Sequence, residues 1–132
     1  MYKYKTKIRL HDTDAAGILF FANQFRFVEE AYEDFLEENG ILIKDFLNKS
    51  DFIVPIVHAD SDFLSPLRPG DRITIEIDLL RMGKTSFTLG HRILKNKDTL
   101  CGKGSTVHVC VSSKDFTSIT VPENIKKILK SI

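Results

Sequence analysis

The spacing of apolar and polar positions changes along the chain, and the changes mark out its elements. Residues 2–10 alternate strictly, with Tyr2, Tyr4, Thr6, Ile8 and Leu10 on one side and Lys3, Lys5, Lys7 and Arg9 on the other. That period of two predicts a β-strand with one wet face. From about Asn23 the period lengthens. Val28, Ala31, Tyr32, Phe35 and Leu36 recur at helical spacing, while Glu29, Glu30, Glu33, Asp34, Glu37 and Glu38 fill much of the remaining surface. One long amphipathic helix is predicted, closed by Asn39-Gly40 as its C-cap. After a helical turn within 42–49, apolar or alternating runs at 52–64, 72–82, 85–95 and 99–112 read as strands. Ile73, Ile75, Ile77 and Leu79, for example, alternate with Thr74, Glu76 and Asp78. The gaps carry Pro66, Pro69 and Gly70, then Met82-Gly83-Lys84, then Asn96-Lys97-Asp98, and are short enough for antiparallel hairpins. Pro122-Glu123 opens a short C-terminal helix with Ile125, Ile128 and Leu129 on its inner stripe.

Strand, long helix, then four strands is an α+β order: a curved antiparallel sheet of about five strands, covered by the one helix long enough to do so. At 132 residues the chain is read as one domain, 1–132. One helix cannot cover such a sheet fully. The leftover apolar surface and free strand edges therefore predict at least a dimer.

Composition narrows the function classes. Hydrophobic residues at 42% and charged residues at 28%, without a low-complexity tract, describe a globular chain. A net charge of +1, from 19 basic and 18 acidic residues, supplies no overall field for nucleic acid or an anionic membrane, so an anionic ligand must be met locally. The N-terminus lacks the apolar run of a signal peptide or membrane span, and a cytoplasmic protein is expected. Cys101 and Cys110 lie nine apart on one predicted strand, beyond disulfide reach. Neither has the spacing of a zinc site.

The stretch HDTDAAGILFFANQF, residues 11–25, carries the chemistry. Asp12 and Asp14 fall between the first strand and the helix, where a carboxylate can cap free backbone N–H groups, and Asp12 or Thr13 fits that role as well as Asp14 does. Behind Asp14, however, Ala15-Ala16-Gly17 permits a tight turn and close approach, and Ile18, Leu19, Phe20 and Phe21 supply apolar walls. Acid, small turn, apolar walls and helix amides together suit an acyl carbonyl, whose oxyanion gains roughly 3 to 4 kcal/mol per backbone donor. The chain has no G-x-S-x-G, P-loop or G-x-G-x-x-G. His58 alternates with Asp60 and Asp62, a pattern open to a metal cluster or to a hydrogen-bonded histidine, and no further ligand converges in sequence. Lys84, Thr85 and Ser86 form a basic, hydroxyl-bearing turn that is either solvated or an anion contact.

The motif DTDAAGILFFANQF, with EEAYEDFL on the helix, resembles the Asp-Thr-Asp-x-x-Gly signature of hotdog-fold acyl-CoA thioesterases of the 4-hydroxybenzoyl-CoA thioesterase type. The similarity continues through PIVHADSDFLSPLRPGD and RMGKTSFTLGHRI. The resemblance implies a hotdog fold, Asp14 as nucleophile or general base, and the backbone N–H of Phe21 as oxyanion donor. It further implies Gly17, His58, Lys84, Thr85 and Ser86 as substrate contacts, with Lys84 and Ser86 toward the CoA phosphates and Arg81 and Arg92 contributing more weakly. No metal or redox cofactor is implied, and the homodimer or homotetramer has active sites between subunits. A second group of hotdog thioesterases uses a helix acid, which makes Glu29 and Glu30 the runner-up carboxylates. FFANQF, EAYE and VHADSDFLSPLRPGDR look most like the branch that hydrolyses 1,4-dihydroxy-2-naphthoyl-CoA in menaquinone and phylloquinone synthesis. Leu19-Phe20 and Asp60 depart from the Val-Tyr and Ser frequent there. Hydrolysis of 4-hydroxybenzoyl-CoA or short-chain acyl-CoA is the alternative enzymatic reading, and a non-catalytic acyl-CoA or acyl-carrier binding protein is the alternative in another class. Dehydratases of the fold rely on a His with an acid and lack the Asp-Thr-Asp turn.

Overall fold

Every second side chain of the first strand turns inward. In the computed structural model, which describes residues 1–132, Tyr2, Tyr4 and Thr6 of β1 (Tyr2–Lys7) are half-buried and the lysines between them are exposed. β1 pairs antiparallel with β4 (Arg72–Met82), setting Tyr2 opposite Ile77 and Tyr4 opposite Ile75. β4 continues to β5 (Ser86–Lys95), β5 to β6 (Thr99–Val109), and β6 to β3 (Ile56–Phe63), so the sheet order is β1-β4-β5-β6-β3. Every pairing is antiparallel, and β1 and β3 form the two edges. This is the five-stranded sheet that the alternation predicts.

One face of the sheet is covered by α1 (Asn23–Glu38), whose Phe27, Val28, Ala31, Phe35 and Leu36 pack with Ile73, Ile75, Ile77, Phe87, Leu89 and Ile93 in a single core. The acidic side of α1 faces outward, apart from Glu29, which borders a cavity between helix and sheet, and Asp34, which accepts a hydrogen bond from the Tyr2 hydroxyl at 2.5 Å. The helix stops at Asn39-Gly40 as the C-cap pattern predicts. The helical turn at 42–49 is α2 (Ile43–Lys49), and the short terminal helix is α3 (Glu123–Leu129), which buries Ile125 and Leu129. None of the helices is long and apolar enough to cross a membrane.

Three boundaries differ from the sequence reading. The first strand ends at Lys7, and residues 10–12 form a turn of 3-10 helix that leaves Leu10 79% exposed. The run at 52–64 divides at Val54-Pro55 into β2 (Phe52–Ile53) and β3, because Pro55 has no N–H for the ladder; its carbonyl accepts Val109 N–H at 3.0 Å. The run at 99–112 divides at Cys110, whose N–H donates to the Thr85 carbonyl at 2.9 Å, and its last part is β7 (Val111–Ser112), paired with β2 in a small second ribbon. Both cysteines are buried free thiols, as expected from their spacing.

Two histidines are enclosed with the core. His108 is stacked on Phe87 at 4.8 Å and joined to Thr106 Oγ1 at 2.9 Å, and His91 is 3% exposed. Burial pushes the His108 imidazolium down to about 4 and moves His91 the same way. Below its ordinary range a histidine of the unfolded chain takes a proton that folded His108 refuses, so stability is complete near neutrality and declines as the pH falls from about 6.5 toward about 4. Urea midpoints measured across that interval are expected to drop, and His108→Phe is expected to flatten the slope; an equal slope in the variant would assign the loss to other groups.

Candidate active site

The two aspartates of the 11–25 stretch have separate roles. Asp12 is 2% exposed; its Oδ2 accepts Arg9 N–H at 2.7 Å, and Oδ1 takes the guanidinium of Arg26 from the first turns of α1. Its carbonyl accepts both Phe20 N–H at 3.0 Å and Asn23 Nδ2 at 2.9 Å. Asp12 thus fastens the turn to the helix through Arg26 and Asn23 and closes the loop through Arg9 and Phe20. Asp14 does none of this. It is exposed, and its carboxylate accepts only the Ala16 N–H, at 2.9 Å through Oδ1. Arg26 is divided between Asp12 and Glu30, so no cation neutralises Asp14.

A tight loop holds Asp14 in place. Its N–H donates to Ile18 carbonyl at 2.9 Å, its carbonyl accepts Gly17 N–H at 3.0 Å, and Thr13 bridges Leu19 just outside. Gly17 closes the loop at φ +74°, the left-handed conformation that side chains disfavour, and a Cβ there would meet nothing within 4 Å. The space above the turn is therefore open, as the small-residue reading requires. Asp12 takes the capping role at the 3-10 turn, where its side chain accepts the Arg9 N–H, and neither acid caps α1, which begins at Asn23 after an Ala22 N-cap with no side-chain cap bond. The loop through Phe20 and Phe21 separates both acids from the helix amides.

Phe21 lies on that loop, 64% exposed, and its N–H donates to no acceptor in the chain. The peptide group that carries this N–H is held by its other end, since Phe20 carbonyl accepts Asn23 N–H at 2.8 Å. Ile18 and Leu19 meet Phe63, Leu64 and Pro66 around a cavity of about 260 Å³ beside the loop. A carboxylate with a free oxygen, an unpaired N–H and an apolar wall are thus grouped on one loop.

The other candidates sit elsewhere. His58 projects from the outer face of β3 with Asp60, 3.4 Å away, and Ser105 Oγ donates to Asp60 at 2.7 Å. That hydroxyl, followed by His58, holds the Asp60 carboxyl below its usual range. In the single chain alternation puts His58 on the face away from α1, opposite in sense to Ser61. No three potential ligands are gathered closely enough to hold a metal. Glu30 is paired with Arg26, whereas Glu29 lines a cavity of about 310 Å³ beneath α1, where burial and then the charge of Glu33 raise its carboxyl.

The Lys84, Thr85, Ser86 turn joins β4 to β5 at the far end of the sheet. Asp14's turn abuts the start of β4, where Ile8 N–H donates to Asp71 carbonyl at 2.9 Å, whereas the hairpin follows Met82. Roughly 33 Å of strand lies between them. Within one chain the hairpin cannot reach Asp14. Its main chain is fixed by Gly83 N–H to Ser86 carbonyl at 2.8 Å and Val121 N–H to Lys84 carbonyl at 2.9 Å, with the Lys84 side chain exposed. Arg92 is engaged with Glu76 at 3.1 Å, away from that turn.

Sequence reasoning passed over Gln24. It is 2% exposed, and its amide reaches β3, donating to Ser61 Oγ at 2.6 Å and to Asp62 carbonyl at 3.0 Å. Its position at the head of the apolar stripe of α1, together with alternate glycines 102 and 104 in β6, could have signalled a polar side chain laid onto the sheet.

Residues 8–129 match the thioesterase-like superfamily. The chain belongs to that family. Among its thioesterase relatives, the 1,4-dihydroxy-2-naphthoyl-CoA hydrolase of Rippkaea orientalis is 38% identical over 133 residues, covering 99% of this chain and 96% of its own. The hydrolase of the same name from Crocosphaera subtropica is 38% identical over 130 residues, with 97% and 95% covered. Slr0204, a 1,4-dihydroxy-2-naphthoyl-CoA thioesterase from Synechocystis, superposes with a TM-score of 0.92 at 25% identity, covering 99% and 96% of the two chains. The hotdog fold is thereby established, with the sheet and helix order described above.

In this thioesterase chain the two acids separate experimentally. Asp12→Ala leaves Arg9 N–H and Arg26 without their acceptor and is expected to cost about 1 to 3 kcal/mol in urea denaturation. Asp14→Asn keeps an acceptor for Ala16 N–H and is expected to melt within about 0.5 kcal/mol of the parent. The reverse order would mean that Asp14 is the structural acid.

Proposed function

We propose that this chain is an acyl-CoA thioesterase for an aromatic acyl group, 1,4-dihydroxy-2-naphthoyl-CoA being the leading substrate, and that Asp14 acts on the thioester carbonyl. The observation that carries the proposal is the pairing of a solvent-facing Asp14 carboxylate, used for nothing structural beyond its own turn, with the unpaired N–H of Phe21 on the same loop. The free oxygen suits attack on the carbonyl to form a mixed anhydride, or removal of a proton from attacking water. The Phe21 N–H suits the oxyanion of either tetrahedral intermediate. Full-length similarity to hydrolases of 1,4-dihydroxy-2-naphthoyl-CoA supports the acyl group. A single-ring dihydroxyaryl thioester is the second reading, favoured by BH1999 gentisyl-coenzyme A thioesterase, which superposes with a TM-score of 0.85 at 28% identity over 96% of this chain. The proposed reaction needs no metal or redox cofactor, and the buried free thiols support a reducing, cytoplasmic setting.

The working unit we propose is a homodimer joined through β3. That strand is an edge whose Ile56, Val57 and Phe63 are 46%, 61% and 56% exposed, an apolar edge that a second copy would cover. Its Phe63 end lies beside the Asp14 loop, and its Ile56 end lies opposite His108 in β6, next to the Ser86 and Val109 pair that leads into the hairpin. Antiparallel pairing about a two-fold axis brings the Phe63 end of one copy to the Ile56 end of the other. The Asp14 loop of one protomer would then meet the partner's Lys84, Thr85 and Ser86, with the ammonium and hydroxyls placed for CoA phosphates.

With a thiol reporter and a panel of dihydroxynaphthoyl-, gentisyl-, 4-hydroxybenzoyl- and short-chain acyl-CoA, the naphthoyl thioester is expected to have the highest kcat/KM, in the presence of a chelator as in its absence. Asp14→Asn is expected to lower kcat by about a thousandfold or more. Wild-type hydrolysis by that variant would remove Asp14 from the reaction, and a preference for short aliphatic thioesters would remove the aromatic assignment.

Mixing tests the shared site. Asp14→Asn and Lys84→Glu proteins, each weak alone, are expected to recover about a quarter of wild-type activity after equimolar subunit exchange, because half the dimers are mixed and each carries one intact site. No recovery from demonstrably exchanged dimers would place the hairpin and the acid in unrelated sites.

A further inference from the structure

We infer that Gln24, acting through Ser61 and His91, is a positioning clamp for the oxyanion donor: it fixes the first turn of α1, and with it the peptide group that carries Phe21 N–H, to the edge strand β3. The inference rests on the function proposed above and names residues outside the reacting groups.

The clamp is a set of hydrogen bonds that meet at Ser61 Oγ. The Gln24 amide donates one hydrogen to Ser61 Oγ at 2.6 Å and the other to Asp62 carbonyl at 3.0 Å. This fixes the amide's orientation, since the flipped form would set its oxygen against the Asp62 carbonyl. Ser61 Oγ also lies 2.9 Å from His91 Nε2 and 3.3 Å from Lys103 carbonyl. A serine hydroxyl has two lone pairs and one proton. Accepting from Gln24 and from His91 Nε2–H while donating to Lys103 uses all three. His91 in this arrangement is neutral with its proton on Nε2, in keeping with the burial that lowers its imidazolium. Helix, β3, β5 and β6 are all held at this one hydroxyl.

Two further features mark the contact as built. Gly102 leaves the floor bare under the amide; a Cβ there would fall 2.5 Å from Gln24 Nε2. And α1 has no side-chain N-cap, so nothing from Ala22 stiffens its start. What sets the direction of the Phe21 N–H is a short chain of bonds: Phe20 carbonyl accepts Asn23 N–H at 2.8 Å, and Phe21 carbonyl accepts Gln24 N–H at 3.2 Å. Both donors belong to the residues that Gln24's side chain anchors. Asp12 holds one side of this turn through Phe20 N–H and Asn23 Nδ2, and the Gln24 anchor holds the side toward the sheet, so release of the anchor loosens that side and the oxyanion donor with it. β3 is also the strand through which the second copy is proposed to dock, so the clamp ties donor geometry to the seam where the site is completed.

The oxyanion develops only after substrate is bound, in the tetrahedral intermediate and the transition states that flank it, so loss of the clamp should fall on kcat and leave substrate binding alone. Gln24→Ala and Ser61→Ala are expected to lower kcat about ten- to a hundredfold with KM within about twofold, the range that misplacement of a reacting partner produces. Gln24→Glu, which sets a carboxylate against the Asp62 carbonyl, should lose at least as much. Ser61→Thr retains the hydroxyl and should recover most of the rate lost in Ser61→Ala, a rescue that general loosening of the core would not give. Where Gln24→Ala lacks a cooperative melt, the Ser61 pair decides. A kcat within about twofold of wild type in the Ala variants, a loss carried by KM, or Ser61→Thr no better than Ser61→Ala would each overturn the clamp. Asp14→Asn is run alongside: activity there overturns the reading of the site, whereas an inactive Asp14→Asn beside fully active Gln24 and Ser61 variants overturns the clamp alone.

Discussion

One helix must cover five strands, and most of the molecule follows from that mismatch. A helix with its side chains is about 10 to 12 Å across, whereas five strands at about 4.8 Å spacing are nearly twice as wide. α1 is therefore seated over the isoleucines of β4 and the inner residues of β5, and β3 receives only the reach of its N-terminal turns. The uncovered strand keeps Ile56, Val57 and Phe63 in solvent. Small residues fill the gap where α1 and β3 approach: glycines 102 and 104 in β6 let the helix start and the edge strand come within hydrogen-bonding distance of each other. The proposed acyl site is built along that line of contact, where the core is thinnest and a ligand or a second chain can still be admitted.

The same constraint explains why two acids separated by a single residue differ so sharply. A helix that covers too little needs its start fixed, and Asp12, buried and bonded to Arg9, Arg26, Phe20 and Asn23, does the fixing. With that task taken, Asp14 can stand in an exposed turn with a free oxygen. The separation was only half legible in sequence. Residue types identified an acid beside small residues and apolar walls, and the Asp-Thr-Asp-x-x-Gly resemblance selected Asp14. Which acid is buried depends on Arg26 reaching back from the helix, a contact between residues 14 apart that no local pattern encodes.

Elsewhere the same division holds between local pattern and long-range pairing. Strict alternation located β1 and β4, and helical spacing located α1 to within a residue, because each element's periodicity is imposed by one buried face. The β2 and β7 ribbon was invisible, since it joins two-residue segments far apart in sequence, Phe52–Ile53 and Val111–Ser112, and exists only once the sheet has formed. His58, Asp60 and Asp62 were correctly grouped on one face by parity. Parity does not say which face. That was decided by the pairing of Ser61 with Gly104 and the bond from Gln24, which turn Ser61 to the helix and send its neighbours outward. Gln24 itself was hidden by its type: a glutamine in a first helical turn reads as solvent-exposed unless a bare floor opposite it is noticed.

The placement of the hairpin carries the argument furthest. An acid at one end of a strand and a basic turn at the other cannot share a ligand in a single chain, yet a two-fold axis beside β3 reverses the second copy and sets unlike ends together. In the proposed dimer two complete sites would arise from one seam, each with a carboxylate from one copy and a cation from the other. On this view the exposed apolar edge and the unpaired Asp14 have one cause: each is the half of a contact that the second copy completes.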